Sequence, residues 1–265
     1  MPETNASGWT IHYETHGERS NPPIVMILGL SHRLPHWGRL PALLAERLFV
    51  VTFDSRGMGQ SERRDEPYTV ENEVQDVLAV MDAVGLERAA VYGRSRGGML
   101  AQEVALSAPG RVSKLILSGT SHRGPGAVGS TDAVNRAMNF TPEMTREQIF
   151  ETQNAAMAAP KWKERQPEAF SYLMQVDLEA PPRRFAVMHQ QEAMSNWSSF
   201  DRLPSIACPV LVICGENDGM VPAENSRQIA ARIPGARLEL IPQCGHLPML
   251  EQPERVAELV LGFVH

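Results

Sequence analysis

The sequence predicts an α/β fold in which a mainly parallel central sheet is flanked by helices and interrupted by a helical insert. Three observations predict it. Short apolar runs of strand length alternate with helical segments in residues 1–121, the pattern of a sheet buried on both faces. Across residues 122–200 the alternation stops, and Met-rich and Ala-rich helical stretches follow from Thr131 to about Ser199 without a convincing strand. After Asp201-Arg-Leu-Pro204 the strand–helix–strand rhythm resumes and runs to residue 265. The expected organisation is therefore a core of residues 1–121 and 201–265, with residues 122–200 inserted.

Thr10-Ile-His-Tyr-Glu14 alternates apolar and polar residues, as an antiparallel edge strand does. Ile24-Val-Met-Ile-Leu28, preceded by Pro22-Pro23, reads as a buried strand, and Phe49-Val-Val-Thr-Phe53 as a second. Trp37 to Arg47 between them is helical in composition. Glu71 to Val84 places Val74, Val77, Leu78 and Met81 at helical spacing, with Thr69 to cap the start and Gly85 to end it. Ala89–Tyr92 is the next buried strand, Met99–Ser107 a helix, and Val112–Leu117 another strand. Beyond the insert, Val210–Cys214 and Leu238–Ile241 read as strands, Asn225–Ile233 and Pro253–Val264 as helices.

With 43% hydrophobic and 21% charged residues, the 265-residue chain can bury a sizeable core without disulfides or metals. A net charge of −6 argues against nucleic-acid binding, which needs a basic face. Cys208, Cys214 and Cys244 show no CxxC spacing and fit a reducing compartment. The first residues lack a basic flank followed by an apolar run, and no stretch approaches a membrane span in length. A soluble cytoplasmic protein without membrane contact is expected. No cofactor or metal is implied, since H-E-x-x-H, clustered cysteines and a phosphate-binding loop are all missing from the sequence. Oligomeric state is open, with a homodimer compatible.

Gly93-Arg94-Ser95-Arg96-Gly97 matches G-x-S-x-G. Alone the motif is unspecific, but here it falls between the strand ending at Tyr92 and a helix starting near Arg96, where a nucleophile elbow belongs. Such a turn exposes the hydroxyl, and the helix N-terminus behind it offers N–H groups to a developing oxyanion. A serine hydroxyl needs a base, and the base needs an orienting acid. His246, in Cys244-Gly-His-Leu-Pro248 after the last predicted strand, is the one histidine of eight in a post-strand loop downstream of a candidate acid. That acid is Asp218 or Glu216 in Gly215-Glu-Asn-Asp-Gly-Met-Val-Pro222. A second oxyanion donor is expected after Leu28, where Gly29-Leu30-Ser31 permits close backbone approach and the Leu30 N–H can pair with that of Arg96. Asp54 and Arg56, in the glycine-punctuated stretch through Ser61, are expected to make a structural ion pair or hydrogen-bonded turn.

With these residues in place, the sequence resembles the α/β-hydrolase family, most closely its lactonases and small carboxylesterases, including 3-oxoadipate enol-lactonases. The resemblance covers residues 9–121 and 201–265. Its matching stretches are Gly29–Trp37, Asp54–Ser61, Gly93–Gly98, Gly215–Pro222 and Gly245–Glu251. It implies Ser95 as nucleophile, Asp218 rather than Glu216 as acid, His246 as base, and the Leu30 and Arg96 amides as oxyanion donors. Many members carry a His immediately before the glycine of the oxyanion loop, where this chain has Leu28. Residues 122–200 correspond to the family's helical cap in position and length only.

The expected chemistry is acyl transfer from a small ester or lactone to water. Two rivals keep the same fold: a carbon–carbon bond hydrolase or cofactor-free haloperoxidase on the same triad, and a ligand-binding receptor with residual turnover. Arg33, Arg94, Arg96 and His122 gather cationic side chains around the predicted pocket mouth. Arg33, Arg94 and His122 are therefore candidate substrate-binding residues for an anionic group, since guanidinium grips carboxylate bidentately.

Overall fold

The computed structural model describes residues 2–265. The strands are β1 (Glu3–Ala6), β2 (Trp9–His16), β3 (Pro23–Ile27), β4 (Phe49–Phe53), β5 (Ala89–Arg94), β6 (Val112–Ser118), β7 (Val210–Gly215) and β8 (Arg237–Ile241). The helices are α1 (Leu40–Ala45), α2 (Val70–Ala83), α3 (Arg96–Ser107), α4 (Asp132–Met138), α5 (Arg146–Met157) and α6 (Trp162–Arg165), followed by α7 (Pro167–Glu179), α8 (Arg184–Glu192), α9 (Ala223–Arg232), α10 (Pro248–Glu251) and α11 (Pro253–Val264). The strands form one eight-stranded sheet in the order β1-β2-β4-β3-β5-β6-β7-β8. β1 and β2 are antiparallel to their neighbours, and β3 through β8 pair in parallel.

Continuous apolar runs make these parallel strands because both sheet faces are covered. Val25, Val51, Val91, Leu115 and Val212 pack with residues of α2 and α3 on one face. Ile24, Met26, Val50, Ile116 and Leu211 pack with residues of α1 and α11 on the other. Each such side chain contributes about 1.5–3 kcal/mol on full burial. α2 starts as read: Thr69 and Asn72 cap each other's backbone N–H groups, and Gly85 turns the chain away at φ 69°.

Three local readings change. Thr10–Glu14 lies within β2, which is not an edge strand, because β1 covers its outer side. The two strands form a hairpin across Ser7-Gly8, both at positive φ (50° and 86°) as a two-residue turn of this hand requires. The segment 37–47 is not one helix. A 3₁₀ turn at Leu34–Trp37 and α1 flank Gly38, which sits at φ 57°, so the helical path is broken there. A short helix, α10, follows the histidine loop where none was expected.

Between β6 and β7 lie the five helices α4–α8 and no strand. Among the described residues no helix is long and apolar enough to cross a membrane. The site follows from the strand order. After β4 the chain crosses over β3 to build β5, so winding reverses between the neighbours β3 and β5. Their carboxyl ends diverge into a crevice at such a switch point, and the Leu30 loop and Ser95 follow those two ends.

Candidate active site

Ser95 occupies the single residue between β5 and α3, at φ 55° and ψ −122°. A non-glycine residue held there costs about 1–3 kcal/mol, and the surroundings hold it. Its N–H donates to the Ser118 carbonyl at 2.8 Å. Its carbonyl accepts from Gly98 N at 2.9 Å and from Thr120 Oγ1 at 2.6 Å. Gly97 is needed because any Cβ there would stand 2.3 Å from the Leu28 carbonyl, where α3 presses on the end of β3.

His246 Nε2 lies 3.0 Å from Ser95 Oγ, and its Nδ1 lies 2.7 Å from Asp218 Oδ2. The other Asp218 oxygen accepts from Met220 N at 3.0 Å and Val221 N at 2.7 Å. A carboxylate only accepts, so Nδ1 carries the proton and Nε2 presents its lone pair to the serine hydroxyl. Glu216 is exposed, whereas Asp218 is buried and bonded to His246. Burial holds the His246 imidazole below the ordinary histidine range; the Asp218 carboxylate opposes that shift and the Arg94 guanidinium adds to it. The histidine is consequently neutral, and competent to accept a proton, at neutral pH.

Glu251 anchors the histidine loop. Its carboxylate accepts from Gly245 N and Leu247 N at 3.0 Å, the residues flanking His246, and from Ala159 N at 2.8 Å. Burial pushes this carboxyl up from its usual range and the three N–H bonds pull it back. Met157, at the end of α5, accepts from His246 N at 2.8 Å. The insert thus touches the histidine loop directly.

The N–H groups of Leu30 and Arg96 have no hydrogen-bond partner among the described residues. Arg96 opens α3, where a helix leaves its first N–H groups unpaired. A Cβ on Gly29 would lie 3.1 Å from Ser95 Cβ, so glycine lets this loop close on Ser95. Both unpartnered amides thus lie on segments that meet at Ser95, one after β3 and one after β5.

The four cations grouped around the predicted pocket mouth each make hydrogen bonds within the folded chain. Arg94 is buried and donates to the His246 carbonyl at 2.7 Å, with His32 Nδ1 at 2.9 Å from its other terminal nitrogen. Arg33 donates to the Val176 carbonyl of α7 at 2.7 Å and meets Glu179 at 3.3 Å. His122 is buried, 2.8 Å from Gln228 Oε1. Arg96 directs its side chain to Glu73, at 2.9 Å, and to the Gln190 carbonyl, at 2.7 Å. In each case an oxygen acceptor of the folded chain, whether a main-chain carbonyl, a carboxylate or the Gln228 amide, takes the place of water. Asp54 makes the expected hydrogen-bonded turn, accepting from Leu34 N and Gln60 N. Arg56 pairs with Asp76 rather than with Asp54.

Sequence reading missed Glu251, Gln190 and His32. Glu251 had a usable signal, its place at the end of the Gly245–Glu251 stretch, whereas Gln190 lies in the insert with no local mark. Among the described residues no group of three or more His, Cys, Asp or Glu side chains is arranged to hold a metal.

Comparison with known proteins places the chain in a family and a fold. A family model described as alpha/beta hydrolase fold matches residues 22–253. A Caulobacter sp. (strain K31) protein named "Putative carbamate hydrolase RutD" is 29% identical over 258 residues, 96% of this chain and 95% of its own. A Pseudomonas putida protein named 2-hydroxymuconate semialdehyde hydrolase is 29% identical over 81% of this chain and 76% of its own. The crystal structure of the enol-lactonase from Burkholderia xenovorans LB400 superposes with a TM-score of 0.86 at 26% identity, covering 99% of both chains.

Proposed function

The chain belongs to the α/β-hydrolase family, and from that premise we propose that it cleaves a carboxylic ester or lactone through an acyl-enzyme on Ser95. The observation that carries the reading is the relay from Asp218 through His246 to Ser95, at 2.7 and 3.0 Å. His246 Nε2 takes the Ser95 proton as Oγ attacks the substrate carbonyl. The oxyanion forms against the Leu30 and Arg96 N–H groups, and Asp218 steadies the imidazolium. The C–O bond then breaks, and His246 returns its proton to the leaving oxygen. A water deprotonated by the same Nε2 attacks the acyl carbonyl, releasing the acid and restoring Ser95.

The insert of residues 122–200 acts in this reading as a cap over the site, which it meets where His246 N donates to the Met157 carbonyl. The named relatives suit the chemistry, since a carbamate and an enol-lactone both present an acyl carbonyl to a nucleophile. The Pseudomonas putida relative favours keeping carbon–carbon bond hydrolysis on the same triad as a second reading. A panel of simple esters and lactones set against vinylogous diketones, run on wild type and Ser95→Ala, tests the assignment. Ester or lactone turnover that the substitution abolishes is the expected result. Turnover confined to the diketones moves the assignment to the second reading.

A further inference from the structure

Gln190, on the cap helix α8, makes a contact with each of the two segments that carry the proposed oxyanion donors. Its side-chain Oε1 accepts from Ser31 N at 2.9 Å. Its main-chain carbonyl accepts from Arg96 Nε at 2.7 Å. Ser31 follows Leu30 and Arg96 follows Ser95, so one buried residue of the insert is bonded to both segments that carry the oxyanion donors. We propose that Gln190 is a positioning residue that couples docking of the cap to assembly of the oxyanion site. This inference rests on the hydrolase reading above.

The loop needs such a restraint. Ser31 is a non-glycine residue at φ 64°, a conformation that persists only where surroundings enforce it. Ser31 Oγ bonds only to the adjacent Leu30 carbonyl, at 2.6 Å, and ties the loop to nothing outside itself. The bond to Gln190 is what orients the Leu30–Ser31 peptide from outside. On the other side of Leu30, Gly29 lies against Ser95. With the peptides on both sides of Leu30 held, the direction of its N–H is set.

The side-chain contact also fixes the amide orientation. Ser31 N is a donor, so it must face the oxygen of Gln190, and the amide nitrogen is left buried without a partner. The one side-chain hydrogen bond of this buried glutamine therefore goes to Ser31. Arg96 is held independently by its bidentate ion pair with Glu73, so its segment keeps its place when the Gln190 side chain changes. The Leu30 side is the part that Gln190 controls. A cap that swings away takes Gln190 with it, and the Leu30 donor loses its alignment. Attack on a carbonyl would then be disfavoured until the cap closes over substrate.

The test compares wild type, Gln190→Met and Gln190→Glu on p-nitrophenyl acetate, with inhibition by a phenylboronic acid and by acetate. Methionine keeps the length and shape but cannot accept from Ser31, while glutamate can. Gln190→Met is expected to lower kcat by about 10–100-fold, less than the roughly 10²–10³-fold for removing an oxyanion donor outright because the Leu30 N–H is misaligned rather than lost, with KM within about threefold. Its affinity for the tetrahedral boronate falls by a similar factor, affinity for acetate does not, and Gln190→Glu recovers most of kcat. A rise in KM with kcat unchanged, or equal weakening of boronate and acetate, overturns the coupling and leaves Gln190 as pocket wall. Absence of Ser95-dependent turnover in wild type overturns instead the hydrolase reading on which the proposal stands.

Discussion

Replacing Glu251 with Gln should disable the histidine loop while leaving the protein folded. The carboxylate serves three buried backbone donors, Gly245 N, Leu247 N and Ala159 N. A glutamine offers one oxygen and one NH₂ group in the same space. If the oxygen takes the Oε1 position, Ala159 N loses its acceptor; if it takes the Oε2 position, Leu247 N does. In either orientation the NH₂ group faces a backbone N–H that it cannot pair with. An unsatisfied buried donor costs about 1–3 kcal/mol, and two or more are created. The substitution also removes a charge that burial disfavours, which offsets part of the loss. A net destabilisation of about 2–4 kcal/mol follows, within the 5–15 kcal/mol typical of folded domains. Urea denaturation measures it. Because Gly245 and Leu247 flank His246, a shift of about 1 Å in the imidazole should lower kcat about 100-fold. Stability within 0.5 kcal/mol of wild type, with kcat within about twofold, would refute the argument that this carboxylate positions the loop.

Three further substitutions test the electrostatics of the relay. Burial, with the Arg94 cation adding to it, holds His246 below the ordinary histidine pKa, so the acidic limb of kcat/KM should lie below about pH 6.5. Removing the cation in Arg94→Met raises the imidazole pKa, and the limb should move to higher pH; an unmoved or lowered limb contradicts the assignment. Asp218→Asn should cost on the order of 10⁴ in kcat through loss of the reactive tautomer, as in the serine-protease case that supplies this magnitude. Glu216→Gln, at an exposed position, should change kcat little, and the reverse ranking would transfer the acid role to Glu216.

What could be read from the sequence divides by the range of the interactions involved. The parallel strands were readable because burial on both faces leaves uninterrupted apolar runs, as in Ile24–Ile27 and Phe49–Phe53. Ser95, Asp218 and His246 were readable because each follows a strand end and their order is fixed by the fold. β1 was missed because Glu3-Thr-Asn-Ala6 is short and largely polar, although Ser7-Gly8 did mark a hairpin turn. The destinations of the arginines were not readable. Arg94 reaches a carbonyl 152 residues away and Arg96 one 94 residues away, pairings that only the folded chain creates. The same holds for Ser31 and Gln190, 159 residues apart. Local pattern thus located the candidate triad, and tertiary contact supplied the groups that surround it.

The central claim is that Ser95 is the activated nucleophile, and covalent labelling tests it most directly. Wild-type protein treated with a serine-directed fluorophosphonate should gain one adduct, and peptide mass spectrometry should place it on Ser95. Labelling should slow sharply in Asp218→Asn and vanish in a folded Ser95→Ala. An adduct on another residue, or undiminished labelling of Ser95→Ala, would contradict the account.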